Sequence, residues 1–347
     1  MTMSDRSGAP LKLAGSYGSP YSLKMRAVLR YRQVPFRWIL RDSQWDDLGS
    51  APVPLIPVID FPDAEGTYGD LMVDSSPMIE RLERLYAGRS VVPTDAVVRF
   101  VDYLIEDFAD EWVTKMMYHY RWYYRDAVDK ASSLLPLDRD LQMSVKNAAM
   151  AKAFIADRQI SRMAFIGSTQ NNRPIIEASY LRLLDLLQAS FATSHFMVGQ
   201  RPGCGDFGLY GQLRQLVGWD PESARVAIDR APRVVNWIER VDDASWWPVD
   251  GDEGWYARDD LPSTTLALLS EIGRTYAPFM RANERSIAEG LEEVVCEIDG
   301  LEYRQGPFRY QAKCVVWLRA RYASLTSADR RDVDALLLGT GCESLFA

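Results

Sequence analysis

The sequence predicts a small α/β domain with a mixed sheet, followed by an all-α domain and a mostly helical extension. Two observations carry this reading. Within the first ninety or so residues, short apolar runs and helix-start signals alternate in the order βαβ, then ββα. From Val97 onward, long stretches at helical period take over and few strand-like runs interrupt them. A chain of 347 residues has room for about two domains, and at 47% hydrophobic it can bury a sizeable core.

After a polar tail at 1–10, expected to be flexible, Leu11-Lys-Leu-Ala14 reads as a strand and Gly15 to Gly18 as a turn. Ser19-Pro20 is a strong helix start, because serine caps free amides and proline suits the first helical position. Leu23, Ala27, Val28 and Tyr31 continue at helical spacing. Phe36 to Leu40 reads as a second strand, Leu55 to Phe61 as a third entered around Pro57, and Leu71 to Val73 as a fourth. Ser75-Ser-Pro77 then starts a helix through Leu85. Helical stretches follow at roughly 97–130, 140–163, 173–192, 204–218 and 231–241, separated by Pro, Gly and Ser. Beyond them come a helix near 264–290, a hairpin turning at Gly300, and two helices at 312–325 and 327–338. The expected organisation is a tail at 1–10, an α/β domain at 11–90, an all-α domain at 95–252 and an extension at 253–347. The apolar faces of that extension (Leu266, Leu269 and Tyr276; Val315, Leu318 and Tyr322) need a partner, which predicts docking on the helical domain.

Composition removes several function classes. Lys plus Arg number 40 against 48 Asp plus Glu, a net charge of -8, which argues against a nucleic-acid groove. No window approaches the ~18 uninterrupted apolar residues of a membrane span, and the first ten residues have no apolar signal-peptide core. Cys204, Cys296, Cys314 and Cys342 form no CxxC pair, and with two histidines a zinc site has too few ligands. The expectation is a soluble cytoplasmic protein with no metal, nucleic-acid or membrane partner.

Four motifs point to a family. Gly18-Ser-Pro-Tyr-Ser-Leu-Lys-Met-Arg-Ala-Val-Leu29 resembles the first helix of cytosolic glutathione transferases, especially the tau and omega classes. Ile56-Pro57-Val58 is similar to that family's Val-Pro-Val element with its cis-proline, and Asp74-Ser75 before Pro77-Met-Ile79 to its Glu-Ser-x-Ala-Ile motif. Phe196-Met-Val-Gly199, Pro202 and Asp206-Phe207 resemble the element that opens the buried helix of its all-α domain. The resemblance covers about residues 11–245 and leaves the last hundred without a counterpart. It implies a thioredoxin-like N-terminal domain, an all-helical glutathione-transferase C-terminal domain, glutathione as co-substrate, a small-molecule electrophile and a homodimer.

The chemistry of such a site follows from its substrate. A glutathione thiol must lose its proton near neutral pH, and a helix N-terminus offers unpaired amides and positive potential to the thiolate. Ser19 stands at such an end and its hydroxyl could donate to the sulfur; read more simply, it only caps the helix. Tyr17 and Ser22 are the backup donors. By resemblance, tau-class transferases carry serine here and omega-class thiol transferases cysteine. Serine forms no mixed disulfide, so transferase or peroxidase chemistry is favoured over thiol reduction. Ser75, at a second helix start, could hold a carboxylate, and Asp74 an ammonium, the two charges of a γ-glutamyl group. Their simpler reading is again a helix cap. Ile56, before an expected cis Pro57, would present its backbone to a peptide-like ligand; otherwise the proline only shapes the strand entry.

One departure concerns the glycine carboxylate of the tripeptide. Residues 42–56 hold no Lys or Arg where related transferases carry a basic partner, which leaves Gln44 or Trp45 as weaker polar substitutes. Phe108, Trp112, Met116 and Tyr120 lie four apart and form one helical band, expected either to line the electrophile pocket or to fill the core. His119 is expected to pack or hydrogen-bond. Glu106, Asp107, Asp110 and Glu111 read as a solvated acidic face, and Asp206 as a structural helix cap with Gly203 in place of the usual Ser or Thr. The expected function is glutathione conjugation to a small apolar electrophile or a related glutathione-dependent reaction. The alternative is a non-catalytic binding or scaffold protein of the same fold.

Overall fold

The computed structural model describes residues 8–346, so most of the expected tail lies outside the described residues. Strand β1 (Leu11–Gly15), helix α1 (Pro20–Tyr31) and strand β2 (Phe36–Leu40) form a βαβ unit, with β1 and β2 parallel and Leu11 opposite Phe36. Strands β3 (Val58–Phe61) and β4 (Asp70–Val73) complete a four-stranded sheet of order β2-β1-β3-β4, with β3 antiparallel to both neighbours. Helix α2 (Ser75–Leu85) follows. All five residues of β1 are buried because the strand is central and covered on its faces. This is the thioredoxin-like arrangement that the element order predicted.

The helical region contains α3 (Ala96–Phe108), a π-helical turn at Ala109–Val113, α4 (Thr114–Tyr123) and α5 (Arg125–Leu134). The single helix expected at 97–130 is thus interrupted twice. The wider π turn carries Asp110 and Glu111 to the buried side. Tyr124, at φ -89° and ψ 131°, then leaves helical geometry before α5. A 3-10 turn at Leu135–Asp138 leads to α6 (Val145–Ile160), α7 (Met163–Ile166) and α8 (Arg173–Ser190). Next are α9 (Cys204–Leu216), α10 (Pro221–Arg230) and α11 (Pro232–Asp242). Among the described residues, no helix is long and apolar enough to cross a membrane.

Helix α9 is the buried axis on which α1 and α3 pack, and two glycines allow it. A Cβ at Gly211 would lie 2.7 Å from the Pro20 carbonyl oxygen, so only glycine permits this approach of α9 to the start of α1. A Cβ at Gly203 would lie 2.3 Å from Asp102 Oδ1. Asp102 does the work of the missing cap side chain, accepting from the amides of Cys204 (2.8 Å) and Gly205 (3.0 Å). Asp206 accepts from the amides of Gly203 and Met197, both at 3.0 Å, which is the structural role its position predicted.

The extension consists of α12 (Ser263–Glu289), the hairpin β5 (Val294–Ile298) and β6 (Leu301–Gln305), α13 (Arg309–Ser324) and α14 (Ser327–Leu337). Asp299 and Gly300 turn the hairpin with φ of 54° and 73°, the left-handed pair that a two-residue turn requires. Leu268, Ile272, Tyr276 and Phe279 on α12 join the same apolar core as α3 and α8.

Candidate functional site

A cavity of about 720 Å³ opens between the α/β domain and the helical region. Ser19 and Ile56 reach it from the α/β side. Ser19 is the N-cap of α1, and its hydroxyl oxygen accepts from the Ser22 amide at 3.2 Å. A hydroxyl that accepts through a lone pair still holds its own proton, so capping and donation to a ligand sulfur are compatible. The Ile56–Pro57 peptide is cis, as expected, and Ile56 makes no backbone hydrogen bond to the described residues.

The loop before Ser19 is held by residues more than a hundred positions away. Arg121 on α4 donates to the Gly18 carbonyl at 2.6 Å, and Gln215 on α9 to the Tyr17 carbonyl at 3.1 Å. Asp138 accepts from Ser16 Oγ (2.7 Å) and the Tyr17 amide (2.9 Å). Arg121 is itself buried and paired with the buried Asp220 at 2.9 Å. These four residues position Ser19, and no sequence signal marked them. Each is ordinary in its own helix and acquires its role only through partners distant in the chain.

The backup donors do not reach the cavity. Tyr17 is 46% exposed and turns its ring toward Trp38 and Arg26. Ser22 is fully buried beside Gly15, with its hydroxyl unpartnered. The aromatic band needs correction too. Phe108, Trp112 and Met116 are 0% exposed and Tyr120 5%, so these residues are core and not pocket. Trp112 donates from Nε1 to Ser179 Oγ at 3.0 Å and packs against Phe279 and Tyr303. The cavity wall is the adjacent face of α4 (Met117, Tyr118 and Trp122), with Leu135, and Phe154 and Ile155 from α6. His119 is buried, with Nδ1 against Ser168 Oγ and Nε2 against Glu177, and is stacked on Tyr123.

Positive charge enters the cavity from outside residues 42–56. Arg41, Arg139 and Arg158 line it. Arg41 is paired with Asp46 and Arg139 with Asp42, while Arg158 on α6 forms no ion pair among the described residues. The helical region thus brings a free guanidinium to a cleft whose 42–56 loop has none.

Asp74 and Ser75 lie at the start of α2, outside the cavity lining. Asp74 has φ 79°, in the left-handed region that glycine favours, and its carboxylate makes no cap bond. It instead accepts from the Tyr310 hydroxyl of α13 at 2.6 Å. Ser75 is buried, and its hydroxyl accepts from Lys24 Nζ at 3.1 Å. Lys24, fully buried on α1, also reaches Glu106 at 2.7 Å and Asp110 at 2.6 Å. Burial alone would lower the pKa of this ammonium, but the charges of Asp110 and Glu106 more than reverse that and raise it.

The acidic run expected to be solvated is buried. Glu106, Asp107, Asp110 and Glu111 are all buried, because the π turn and the docked extension enclose them. Burial pushes Asp110 up to about 6, Asp107 to about 7 and Glu111 to about 8, and it does the same to Asp206, at about 7. In the unfolded chain these groups titrate near 4. Between about pH 4 and 7 the folded protein therefore holds more protons than the unfolded one, and stability falls as pH rises. Lys115, lowered by burial to about 7, opposes this only above that value. Carboxylates held low in the fold, such as Asp242, lose their contribution only on the acid side of about pH 4. Denaturant titration should thus find the chain more stable at pH 5.5 than at pH 7.5, by about 2 kcal/mol or more, since one such carboxyl alone contributes about that much across the window. Asp107→Asn with Glu111→Gln should flatten that slope; a flat wild-type profile would contradict the assignment.

Residues 13–90 match the glutathione S-transferase N-terminal domain, and residues 155–240 the glutathione S-transferase C-terminal domain. Among solved structures, the chain is similar to a GST-like protein from Pseudomonas syringae (16% identity, 67% of this chain and 66% of that one, TM-score 0.42). It is also similar to a glutathione transferase from Burkholderia graminis, crystallised with two glutathione molecules per subunit (18% identity, 70% and 90% covered, TM-score 0.42). A tau-class glutathione S-transferase from mango, Mangifera indica, is similar over 74% of this chain and 94% of its own (18% identity, TM-score 0.37). No curated protein matches the sequence.

Proposed function

We propose that this chain, which resembles the glutathione S-transferase family through both of its domains, uses glutathione as co-substrate against a small apolar electrophile. The observation that carries the reading is the convergence of Ser19, at the N-terminus of α1, and the Ile56 backbone on one cavity with an apolar far wall. Ser19 donates its proton to the thiolate sulfur while its oxygen keeps the Ser22 amide. The first-turn amides of α1 add positive potential, so the thiol proton passes to solvent near neutral pH. Ile56 holds the cysteinyl backbone by its amide and carbonyl. Arg158 takes the glycine carboxylate, and Asp74 with Ser75 stands at the γ-glutamyl end. Met117, Trp122 and Phe154 cover the electrophile. The sulfur lone pair then forms the new C–S bond at the electrophilic carbon, and the electron pair displaced there either departs with the leaving group or, where a double bond or ring opens, moves to the neighbouring atom, which takes a proton from solvent.

Ser19→Ala tests this. Turnover with a small aromatic electrophile should fall by ~10²-fold, as when one oriented donor to an anion is removed. The pKa of bound glutathione, read from thiolate absorbance, should rise. Unchanged turnover and unchanged thiol pKa would remove Ser19 from the chemistry. The resemblance further supports a homodimer, which sedimentation would test, and the four free cysteines suit the reducing cytoplasm. A second reading, a non-catalytic binding or scaffold protein of this fold, is favoured by one observation: both γ-glutamyl-end residues are already engaged within the chain. Failure of glutathione to bind in calorimetry would favour it.

A further inference from the structure

Helix α6 walls the cavity but is weakly held to the rest of the molecule. None of its 16 residues is buried, although Ala151, Phe154, Ile155 and Arg158 all line the cleft. The apolar residues on the side turned to the protein are Ala148, Ala151, Ile155 and Ala156, each only half-buried. Little apolar surface therefore holds the helix down, and a helix of this length is marginal by itself. Among the described residues, side-chain ties to its length come from two places. The Tyr118 hydroxyl donates to the Gln159 carbonyl at 2.8 Å, and Lys152 pairs with Asp129 on the surface, where an ion pair contributes little. The segment after α6 is fixed by contrast. Lys115 donates to the Ile166 carbonyl at 3.1 Å and Asn172 to that of Gly167 at 2.8 Å. Phe165 packs on Phe308, and a Cβ at Gly167 would lie 2.0 Å from the Tyr303 hydroxyl, so the extension clamps this end closely.

We propose that α6 is a lid that closes on the occupied cleft, and that its Phe154 determines specificity by favouring electrophiles with a long apolar body. This rests on the glutathione reading above and deepens it by naming the substrate class. Phe154 and Arg158 stand one turn apart beside the cavity, Phe154 is 67% exposed, and Arg158 is exposed as well. The glycine carboxylate draws Arg158 inward, and an apolar chain that extends beyond α4 gives Phe154 a surface to cover. Both contacts are stronger with α6 closed, so the ligand binds the two positions differently, which is what a shift between them requires. A short electrophile ends before Phe154 and gains little from closure. The turn at 161–162 is the pivot, and the extension serves the reaction by holding the segment behind it.

Hydrogen exchange and calorimetry with S-methylglutathione and S-hexylglutathione test the lid. In the free protein, α6 amides should exchange on the order of 100-fold faster than those of the buried α9. S-hexylglutathione should slow α6 exchange about tenfold and bind about tenfold more tightly than S-methylglutathione. Phe154→Ala changes an exposed side chain, so the fold is retained. It should remove most of the preference for the hexyl chain and most of the α6 protection that this ligand confers. Arg158→Gln gives a second arm: it should weaken both ligands by a similar factor and reduce the α6 protection with each. Amides of α6 as protected as those of α9 in the free protein would overturn the lid, as would protection that persists in Phe154→Ala. So would unchanged α6 exchange with a ligand that calorimetry shows to be bound, and in each of these cases the glutathione reading stands. Binding of neither ligand, nor of glutathione itself, would overturn that reading and this inference with it.

Discussion

Replacing Lys24 by methionine should lower the stability of the chain by about 3–5 kcal/mol, the usual cost of breaking a buried ion pair by removing one partner. The ammonium is 0% exposed and is the cation shared by Glu106 and Asp110, and it holds Ser75 as well. Methionine fills similar volume, so the loss is electrostatic: two carboxylates remain in a dry interface with no counter-charge. Asp110 already titrates at about 6, raised first by burial, and loss of Lys24 removes the chief influence that lowers it. Below that pH the carboxyl is neutral and its penalty disappears. Urea unfolding should therefore show a large loss at pH 7.5 and a smaller one at pH 5. Adding Glu106→Gln and Asp110→Asn to Lys24→Met should recover much of the stability. A loss below 1 kcal/mol, or one independent of pH, would show that this network is not the electrostatic pin of the domain interface.

Deleting residues 253–347 should abolish the soluble, cooperative fold. Leu268, Leu269, Ile272, Tyr276, Phe279 and Met280 of α12 are all fully buried in the common core. At ~1.5–3 kcal/mol for each large apolar side chain, their removal costs on the order of 10 kcal/mol, comparable with the whole stability of a typical domain. Polar partners leave at the same time. Tyr276 donates to Asp107, Glu271 pairs with Arg182 at 2.7 Å, and Gln305 accepts from the buried Lys115 at 2.7 Å. The truncated chain would expose Phe108 and Trp112, whose ring partners on α12 are Tyr276 and Phe279. Aggregation, or a melt without a cooperative transition, is the expected result. A soluble truncated protein with unchanged melting temperature, beside a tail that folds by itself, would refute the docking of the extension.

The features legible in the sequence are those whose causes lie within a few residues. Ser19-Pro20 starts a helix because cap and first turn are adjacent in the chain, and Asp206 caps α9 through an amide three residues away. The element order follows from short apolar runs and turns, and the Ile-Pro-Val element correctly anticipates the cis bond at Pro57. Helix α10 was overlooked because Pro221 and Pro232 frame a ten-residue segment with only two buried side chains, which leaves little apolar period to detect.

Where the sequence and the fold part, the deciding neighbour is far along the chain. The stripe Phe108, Trp112, Met116 and Tyr120 has a helical period that marks a buried face, but the period cannot say whether that face meets a cavity or α12. Glu106 to Glu111 looked solvated because four carboxylates in six positions repel in water; Lys24, 82 and 86 residues away, and the docked extension make burial tolerable. Arg121 serves Gly18 across 103 positions and Tyr310 serves Asp74 across 236. The sequence by itself determined the α/β and all-α architecture, the helix end that carries Ser19 and the Pro57 turn, because each depends on backbone preferences that act over one or two turns. Only the tertiary structure decided which wall of α4 faces the cleft, which arginines enter it and what occupies Asp74. Those outcomes depend on long-range packing, where burial sets both the cost of a charge and the identity of its partner.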